Sequence, residues 1–484
     1  MLQAALFDGV KAYDALGSGY CESVSSENRR SAGITLTPQW LVHTMFDRVA
    51  VHGGFDTVVD AGAGSGRFAM EAALRYPQAV VVAQEHSADM LAVLRRNLSE
   101  AGLEHRVQIV EGDFREAAIA PKGRTLFIGN PPYVRHHDIE PHWKQWYGQG
   151  MARHGIKASL LAGLHAHFVL RMTELARPGD VVCQVTAAEW LDNGYGLALR
   201  ALVSGQPLVL RGLWVAAADQ PVIADALVSA VVIEAVVGGE PRSTELGLLS
   251  SEGLATMRFL PLEELQRAAR WTELCQRKEH VAAVGHKLGD FFRVTRGQVT
   301  GFNQAWVLPS GSDELPASLT VPAVTRAREI IDGTVEAGDA LRRLKRVANL
   351  PSDLESLSPT LRQQANAFVA RMRVLGADNG YVAKQRKAWY AVDMRLPPAA
   401  FVSYMGRRPP VFRANPHGVS FLNIAHGLYP RRAMPPDQLR AILAHLNQTT
   451  VLGQGRIYGG GLAKFEPSDI ARLRLPEHLV EGLL

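Results

Sequence analysis

Cysteine is scarce in this 484-residue chain: Cys21, Cys183 and Cys275 are odd in number and far apart. That pattern excludes a disulfide framework and offers no zinc-ligand spacing, so a reducing cytoplasm is the expected setting and no metal is expected. Apolar runs of membrane-spanning length are also missing. The N-terminus lacks the basic-then-apolar pattern of a secretion signal, so no membrane partner is expected. There is no tandem repeat and no long low-complexity tract. What is present, 47% hydrophobic residues over a length that suits two to three domains, supplies a substantial core.

Net charge is only +5, but it is unevenly spread. From His286 onward there are 26 Lys and Arg against 16 Asp and Glu, leaving 26 against 31 before it. An acidic part followed by a basic part suits catalysis and polyanion binding on separate domains, although a merely solvated basic surface gives the same counts. Basic and aromatic residues interleave at 384–390 and 404–408, where Lys and Arg suit phosphates and Arg also suits guanine edges.

The most informative residues are Asn130-Pro131-Pro132-Tyr133, which end the short apolar run Thr125-Leu126-Phe127-Ile128-Gly129. The first proline fixes its own φ and biases Asn130 to an extended conformation. The Asn130 side-chain oxygen and the Pro131 carbonyl can then accept both hydrogens of one planar amino group. Neither proline has an N–H that competes as a donor. Alone, the tetrapeptide reads equally well as a proline-rich turn.

Upstream, Thr57-Val58-Val59-Asp60-Ala61-Gly62-Ala63-Gly64-Ser65-Gly66 combines a β-branched run, a carboxylate and alternate glycines, and a helical pattern follows to Tyr76. A strand–glycine loop–helix unit brings backbone N–H groups close to a ligand. The dinucleotide fingerprint would need glycine where Arg67 stands, so the spacing suits a nucleoside without a pyrophosphate. A second apolar run ends at Glu85, about twenty residues on, the reach expected of a ribose-binding acid. A third is followed by Asp113 and Phe114, suited to accept from an adenine amino group and to cover its ring. Each acid alone reads as a solvated strand end; four such signals in order do not.

Together these motifs resemble the S-adenosylmethionine-dependent N6-adenine DNA methyltransferases of the gamma class, found in restriction–modification systems. Gly33-Ile34-Thr35-Leu36-Thr37-Pro38-Gln39-Trp40 resembles the family's N-terminal motif, and 160–179, 180–191 and 228–233 resemble its later helix and strands. The resemblance implies an α/β fold, a Rossmann-like class I methyltransferase domain with a C-terminal mixed α+β DNA-recognition domain. The expected organisation is a catalytic domain over 1–240, a connecting helical segment over 241–285 with its helix at 262–277, and a recognition domain over 286–484. S-adenosyl-L-methionine is the implied cofactor, held by Thr37, Pro38, Asp60, Ala61, Gly62, Gly64, Gly66, Glu85, Asp113 and Phe114. Asn130, Pro131, Pro132 and Tyr133 are the implied catalytic residues, acting on an adenine rotated out of duplex DNA. Double-stranded DNA and a cognate restriction endonuclease are the implied partners.

Where the family commonly carries an aromatic against the extruded base, Ile223 stands here, so Tyr133 is expected to carry the stacking. The stretches 292–303 and 456–467 resemble DNA-recognition segments, though as bare sequence they also read as hairpin turns. His136, His137, His142, His154, His165 and His167, with Trp143, Trp146 and Tyr147 among them, lack metal-ligand spacing and are expected to form a loop over the target base or against phosphate. Alternatives are transfer to ribosomal RNA or to a protein glutamine, which the same tetrapeptide also serves, or a non-catalytic DNA-binding specificity subunit. Cytosine amino methylation is disfavoured, because that group usually goes with Ser-Pro-Pro-Tyr.

Overall fold

A computed structural model describes residues 14, 17–20, 24, 34–216, 222–223, 229–240, 243–276, 285–309, 311–458 and 462–483. Cys21, Gly33 and Val228 lie outside these residues, as does the centre of the 456–467 stretch, 459–461. The chain divides into two compact units, with the break between Lys278 and Glu279.

The first unit is built on one sheet. Its strands are β1 (Thr57–Ala61), β2 (Val80–Glu85), β3 (Val107–Glu111), β4 (Thr125–Gly129), β5 (Val181–Ala187), β6 (Leu208–Ala216), β7 (Ala230–Val237), β8 (Ser243–Ser250) and β9 (Gly253–Pro261). The order is β3-β2-β1-β4-β5-β7-β6-β8-β9. Strands β1 to β5 pair in parallel, while β7 runs antiparallel to both β5 and β6. The reversal between β1 and β4 is where a doubly wound sheet opens a crevice at its carboxyl edge. Strands β1, β4 and β5 are buried along their whole length, which is why they read as continuous apolar runs.

Helices α1 (Gln39–Val49), α2 (Arg67–Arg75), α3 (Ala88–Glu100), α4 (Pro141–Arg153) and α5 (Leu164–Leu175) accompany this sheet. Two apolar clusters lie on its two faces, one containing Leu41, Phe46, Val58 and Leu126, the other Phe127, Phe168, Trp190 and Trp271. The expected α/β architecture holds.

The segment 241–285 differs from expectation. Residues 241–242 and 277–284 lie outside the described residues, but between them β8 and β9 extend the sheet, and the expected helix is two short ones, Leu262–Arg267 and Thr272–Gln276. Polar residues disguised β8, and each is neutralised in place. Glu245 pairs with Arg48 of α1 at 2.9 Å, and the Thr244 hydroxyl donates to the Leu210 carbonyl at 3.2 Å. The first unit therefore reaches Lys278 rather than ending near residue 240.

The second unit is mixed α+β. One four-stranded sheet runs Phe292–Arg296, Ala425–Pro430, Ala400–Ser403, Phe412–Ala414; another runs Val307–Leu308, Arg346–Ala348, Thr320–Val324, Ser420–Phe421. The long helices are Pro359–Val374 and Pro436–Thr449. The second is tied to the first sheet by the Asn447 amide, which accepts from Phe412 N at 2.8 Å and donates to Phe412 O at 2.9 Å.

Candidate active site

The carboxyl ends of β1 to β4 enclose a cavity of about 270 Å³. Of the residues expected there, Gly62, Gly64, Glu85, Asp113, Phe114, Asn130 and Pro132 line it. Glycine is required at 62 and 64, where φ is +75° and +55°. A Cβ on Gly62 would lie 3.3 Å from Pro132 Cδ and 3.5 Å from the Phe168 ring. The glycine loop and the proline loop are therefore in contact.

Glu85 holds the loops around it. Its Oε2 accepts from Gly64 N at 2.8 Å, and its Oε1 accepts from His86 N at 2.8 Å and Ser87 N at 2.7 Å. Oε2 keeps a lone pair on the cavity wall, which suits a hydroxyl donor. The Asp113 carboxylate is bound by Arg115, through its backbone N–H at 2.9 Å and its Nε at 2.8 Å. Burial alone would raise the Asp113 carboxyl, but the Arg115 hydrogen bonds and charge outweigh it and hold it below its ordinary value.

Asn130 Nδ2 donates to the Thr35 carbonyl at 3.2 Å. A carbonyl can only accept, so this bond fixes which way the amide points. Its Oδ1 is left buried without a partner at the edge of the cavity. Pro131 is buried and does not line the cavity. Tyr133 does not line the cavity; its hydroxyl is buried without a partner, and burial pushes the phenol up.

Other expected residues support the cavity from behind. Asp60 is fully buried, and its Oδ2 accepts from Ala69 N at 3.0 Å, in the first turn of α2. Burial, opposed by the Ala69 hydrogen bond and assisted by the Glu85 charge, pushes its carboxyl up to about 8. Ala61 is buried in the sheet, and Gly66 turns the chain into α2 at φ +93°. Thr37 is 4% exposed and Pro38 caps α1; the neighbouring Ile34, Thr35 and Leu36 line the cavity instead. Arg67, the residue that breaks the dinucleotide spacing, donates to the Thr37 carbonyl and the Asp14 carboxylate, fastening this N-terminal motif to the glycine loop.

Several lining residues were missed: His86, Ser87, Arg115, Asp138 and Phe168. The first three follow strand ends already singled out and were within reach; Phe168 comes from mid-helix α5 and carried no local signal.

The histidine-rich stretch is not a loop. Residues His136–Asp138 form one 3₁₀ turn, Pro141–Arg153 is helical, and His165 and His167 are buried on α5. Burial lowers these two to about 4 and about 3, the Arg115 charge adding to the effect at His167, so they are neutral and unsuited to phosphate. Ile223 is 3% exposed and packs in the cluster containing Trp214, Ala230 and Leu249 rather than on the cavity; its neighbours 217–221 and 224–228 lie outside the described residues. Among the described residues, no group of three His, Cys, Asp or Glu is placed to hold a metal, and no helix is long and apolar enough to cross a membrane.

The chain resembles known proteins over most of its length. A family model for a methyltransferase domain matches residues 58–146, and one for the C-terminal domain of Type II methyltransferase M.Eco57I matches 270–483. Type II methyltransferase M.XamI of Xanthomonas campestris pv. amaranthicola is 39% identical over 92% of this chain and 85% of its own length. The chain belongs to the Type II methyltransferases. A release factor glutamine methyltransferase of Xylella fastidiosa is 32% identical, but over only 36% of this methyltransferase and 62% of its own length.

Two solved structures share the fold of the methyltransferase across both units. The Type IIL restriction–modification enzyme MmeI in complex with DNA superposes with a TM-score of 0.56 at 11% identity, over 91% of this chain and 65% of that one. The DrdV–DNA complex gives 0.53 at 13% identity, over 89% and 52%. The methyltransferase spans about two thirds and one half of those longer chains.

Proposed function

We propose that the methyltransferase transfers a methyl group from S-adenosyl-L-methionine to the exocyclic amino group of an adenine extruded from duplex DNA. The observation that carries this reading is the Asn130 amide: one of its N–H groups is bound to Thr35, and its oxygen is buried and unpartnered in a residue that lines the same cavity as Gly62 and Gly64. The residues fit the cofactor. Gly62 and Gly64 leave a cradle that a Cβ would narrow, and Glu85 and Asp113 each keep acceptor capacity for ribose and adenine donors. Phe114 and Phe168 supply apolar surface for the purine. When bound, the cofactor supplies a methyl group on a positively charged sulfur.

The chain's own contribution is position and charge. An amino group buried in a base stack is out of reach, so the adenine is rotated out of the duplex. Asn130 Oδ1 and the Pro131 carbonyl accept its two hydrogens, which disfavours delocalisation of the lone pair into the ring, and Tyr133 stacks on the base. The hydrogens become acidic only as the nitrogen gains positive charge, so no strong general base is needed. The second unit grips the duplex with its excess of Lys and Arg. This modification activity belongs with a cognate endonuclease in the cytoplasm.

Glutamine side chains present the same planar amino group, and the likeness to release factor methyltransferases covers the catalytic region. The match of 270–483 to a Type II methyltransferase C-terminal domain favours DNA. Tritiated-methyl transfer to unmethylated duplex DNA, ribosomal RNA and a release factor separates the readings. Labelled N6-methyladenine in the DNA alone is expected; label only in RNA or protein, or on cytosine, would overturn the assignment.

A further inference from the structure

Asp113 at the end of β3 has few acceptor positions left. Its Oδ1 takes Arg115 N at 2.9 Å and Arg115 Nε at 2.8 Å, and its Oδ2 takes Arg115 Nη2 at 2.5 Å. A carboxylate oxygen has two lone pairs, so Oδ1 is saturated and Oδ2 retains one position. The guanidinium is held in turn: its Cζ lies 3.8 Å from the ring centroid of Trp143 on α4, and its side chain is only 9% exposed. Both Asp113 and Arg115 stand on the cavity wall, beside Phe114 and Phe168, whose rings are 5.0 Å apart.

We propose that Arg115, stacked on Trp143, is a positioning residue that leaves Asp113 a single fixed acceptor and thereby makes the cavity select a 6-aminopurine over a 6-oxopurine. The inference rests on the cavity being the cofactor site, as read above. An adenosyl ligand offers a donor to the remaining Oδ2 position. An inosyl ligand offers a carbonyl oxygen, and two acceptors then face one another. A carboxylate free to swing could turn away and escape that repulsion, but one held by the Arg115 fork cannot. Because the fork also keeps the acid ionised, Asp113 cannot rescue the inosyl ligand by donating a proton.

The test is calorimetry on the full chain with S-adenosylhomocysteine and S-inosylhomocysteine as probes. The unaltered protein should prefer the adenosyl probe by about 10- to 100-fold, the cost of one mismatched hydrogen bond to a charged group. In Arg115→Ala and Trp143→Leu this preference should fall to within about threefold, chiefly because inosyl binding suffers less than adenosyl binding. Arg115→Lys, which keeps the charge but loses the fork, should also lose most of the preference and remains usable if Arg115→Ala does not fold. Equal weakening of both probes, with the ratio preserved, would mean that Arg115 merely supports the loop, and would overturn the inference alone. If the unaltered chain bound neither probe, the cofactor reading itself would fall.

Discussion

Arg296, at the end of the strand Phe292–Arg296, donates to the Glu466 carboxylate, and Lys464 reaches the other oxygen of the same carboxylate at 2.8 Å. The two stretches that resemble recognition segments are thus joined through one acid. Burial alone would raise Glu466, but Lys464 and Arg296 together hold it below its ordinary value, so the bridge persists at neutral pH. The Arg296 side chain remains 58% exposed, its guanidinium tied to Glu466 through Nη2 alone. Arg296→Gln is expected to weaken duplex binding similarly for all sequences and to reduce the log–log salt slope by about one, as losing a phosphate contact does. Fluorescence anisotropy across a salt series checks this; an unchanged slope would remove Arg296 from the DNA-facing surface.

Asn130→Ala should separate chemistry from cofactor binding. Its oxygen is assigned to the target amino group, whereas its contact with Thr35 is a single hydrogen bond at 3.2 Å. Loss of one preorganised acceptor costs about 10²- to 10³-fold in turnover. Affinity for S-adenosylhomocysteine should change by no more than about twofold, since the loss falls on a bond made to the target rather than to the cofactor. Single-turnover methyl transfer and calorimetry on the same preparation make the comparison, and a parallel loss of both would remove the role given to this amide.

Much of this site was legible because the signals are local. In a parallel sheet each strand delivers its last residues to one edge, so Gly62, Glu85, Asp113 and Asn130 could be read one strand at a time. The errors share a cause, in that burial is decided by distant partners. Asp60 also carries a carboxylate near the carboxyl end of its strand, yet it is buried there and accepts from Ala69 N of α2. Glu245 and Thr244 made β8 look like a connector, because Arg48 and Leu210, which satisfy them, stand far away in sequence. His165 and His167 share one neighbourhood with surface histidines in sequence but face the core from α5.

Asp60 should give the fold a pH dependence of definite sign. Its carboxyl is raised to about 8, against about 3.9 for an ordinary aspartate, so between these values the folded state binds a proton that the unfolded chain has released. Its stabilising contribution is complete below pH ~4 and is lost as pH rises through about 8. Asp60 Oδ1 and Gln184 Oε1 are both buried without partners, and they lie 3.0 and 3.7 Å from where a Cβ on Gly129 would sit. A proton on Asp60 gives one of these oxygens a donor. Melting temperature should fall between pH ~4 and ~8 and level off above, by roughly 2–4 °C for each 1 kcal/mol lost. Asp60→Asn keeps an acceptor for Ala69 and carries its own N–H, so its melting curve should be flatter over this range. An equally steep decline in that variant would assign the effect to other groups.

Gly62→Ala and Gly64→Ala should differ, because the two glycines face different neighbours. Both have positive φ, so an added Cβ costs about 1–2 kcal/mol in backbone strain at either position. At 64 the new methyl group meets only Leu36 Cδ2 at 3.5 Å, an ordinary contact, so reduced stability and weaker cofactor binding are the expected results. At 62 it meets Pro132 Cδ at 3.3 Å and the Phe168 ring at 3.5 Å. The proline loop must then retreat by a few tenths of an ångström, taking Asn130 out of its position relative to the glycine loop. Turnover at saturating cofactor should therefore fall at least about tenfold further in Gly62→Ala than in Gly64→Ala, because misplacing reacting groups by a fraction of an ångström is costly. Matched thermal melts show whether backbone strain is the same in both. Equal turnover in the two variants would mean that contact between the glycine and proline loops does not set the reacting geometry.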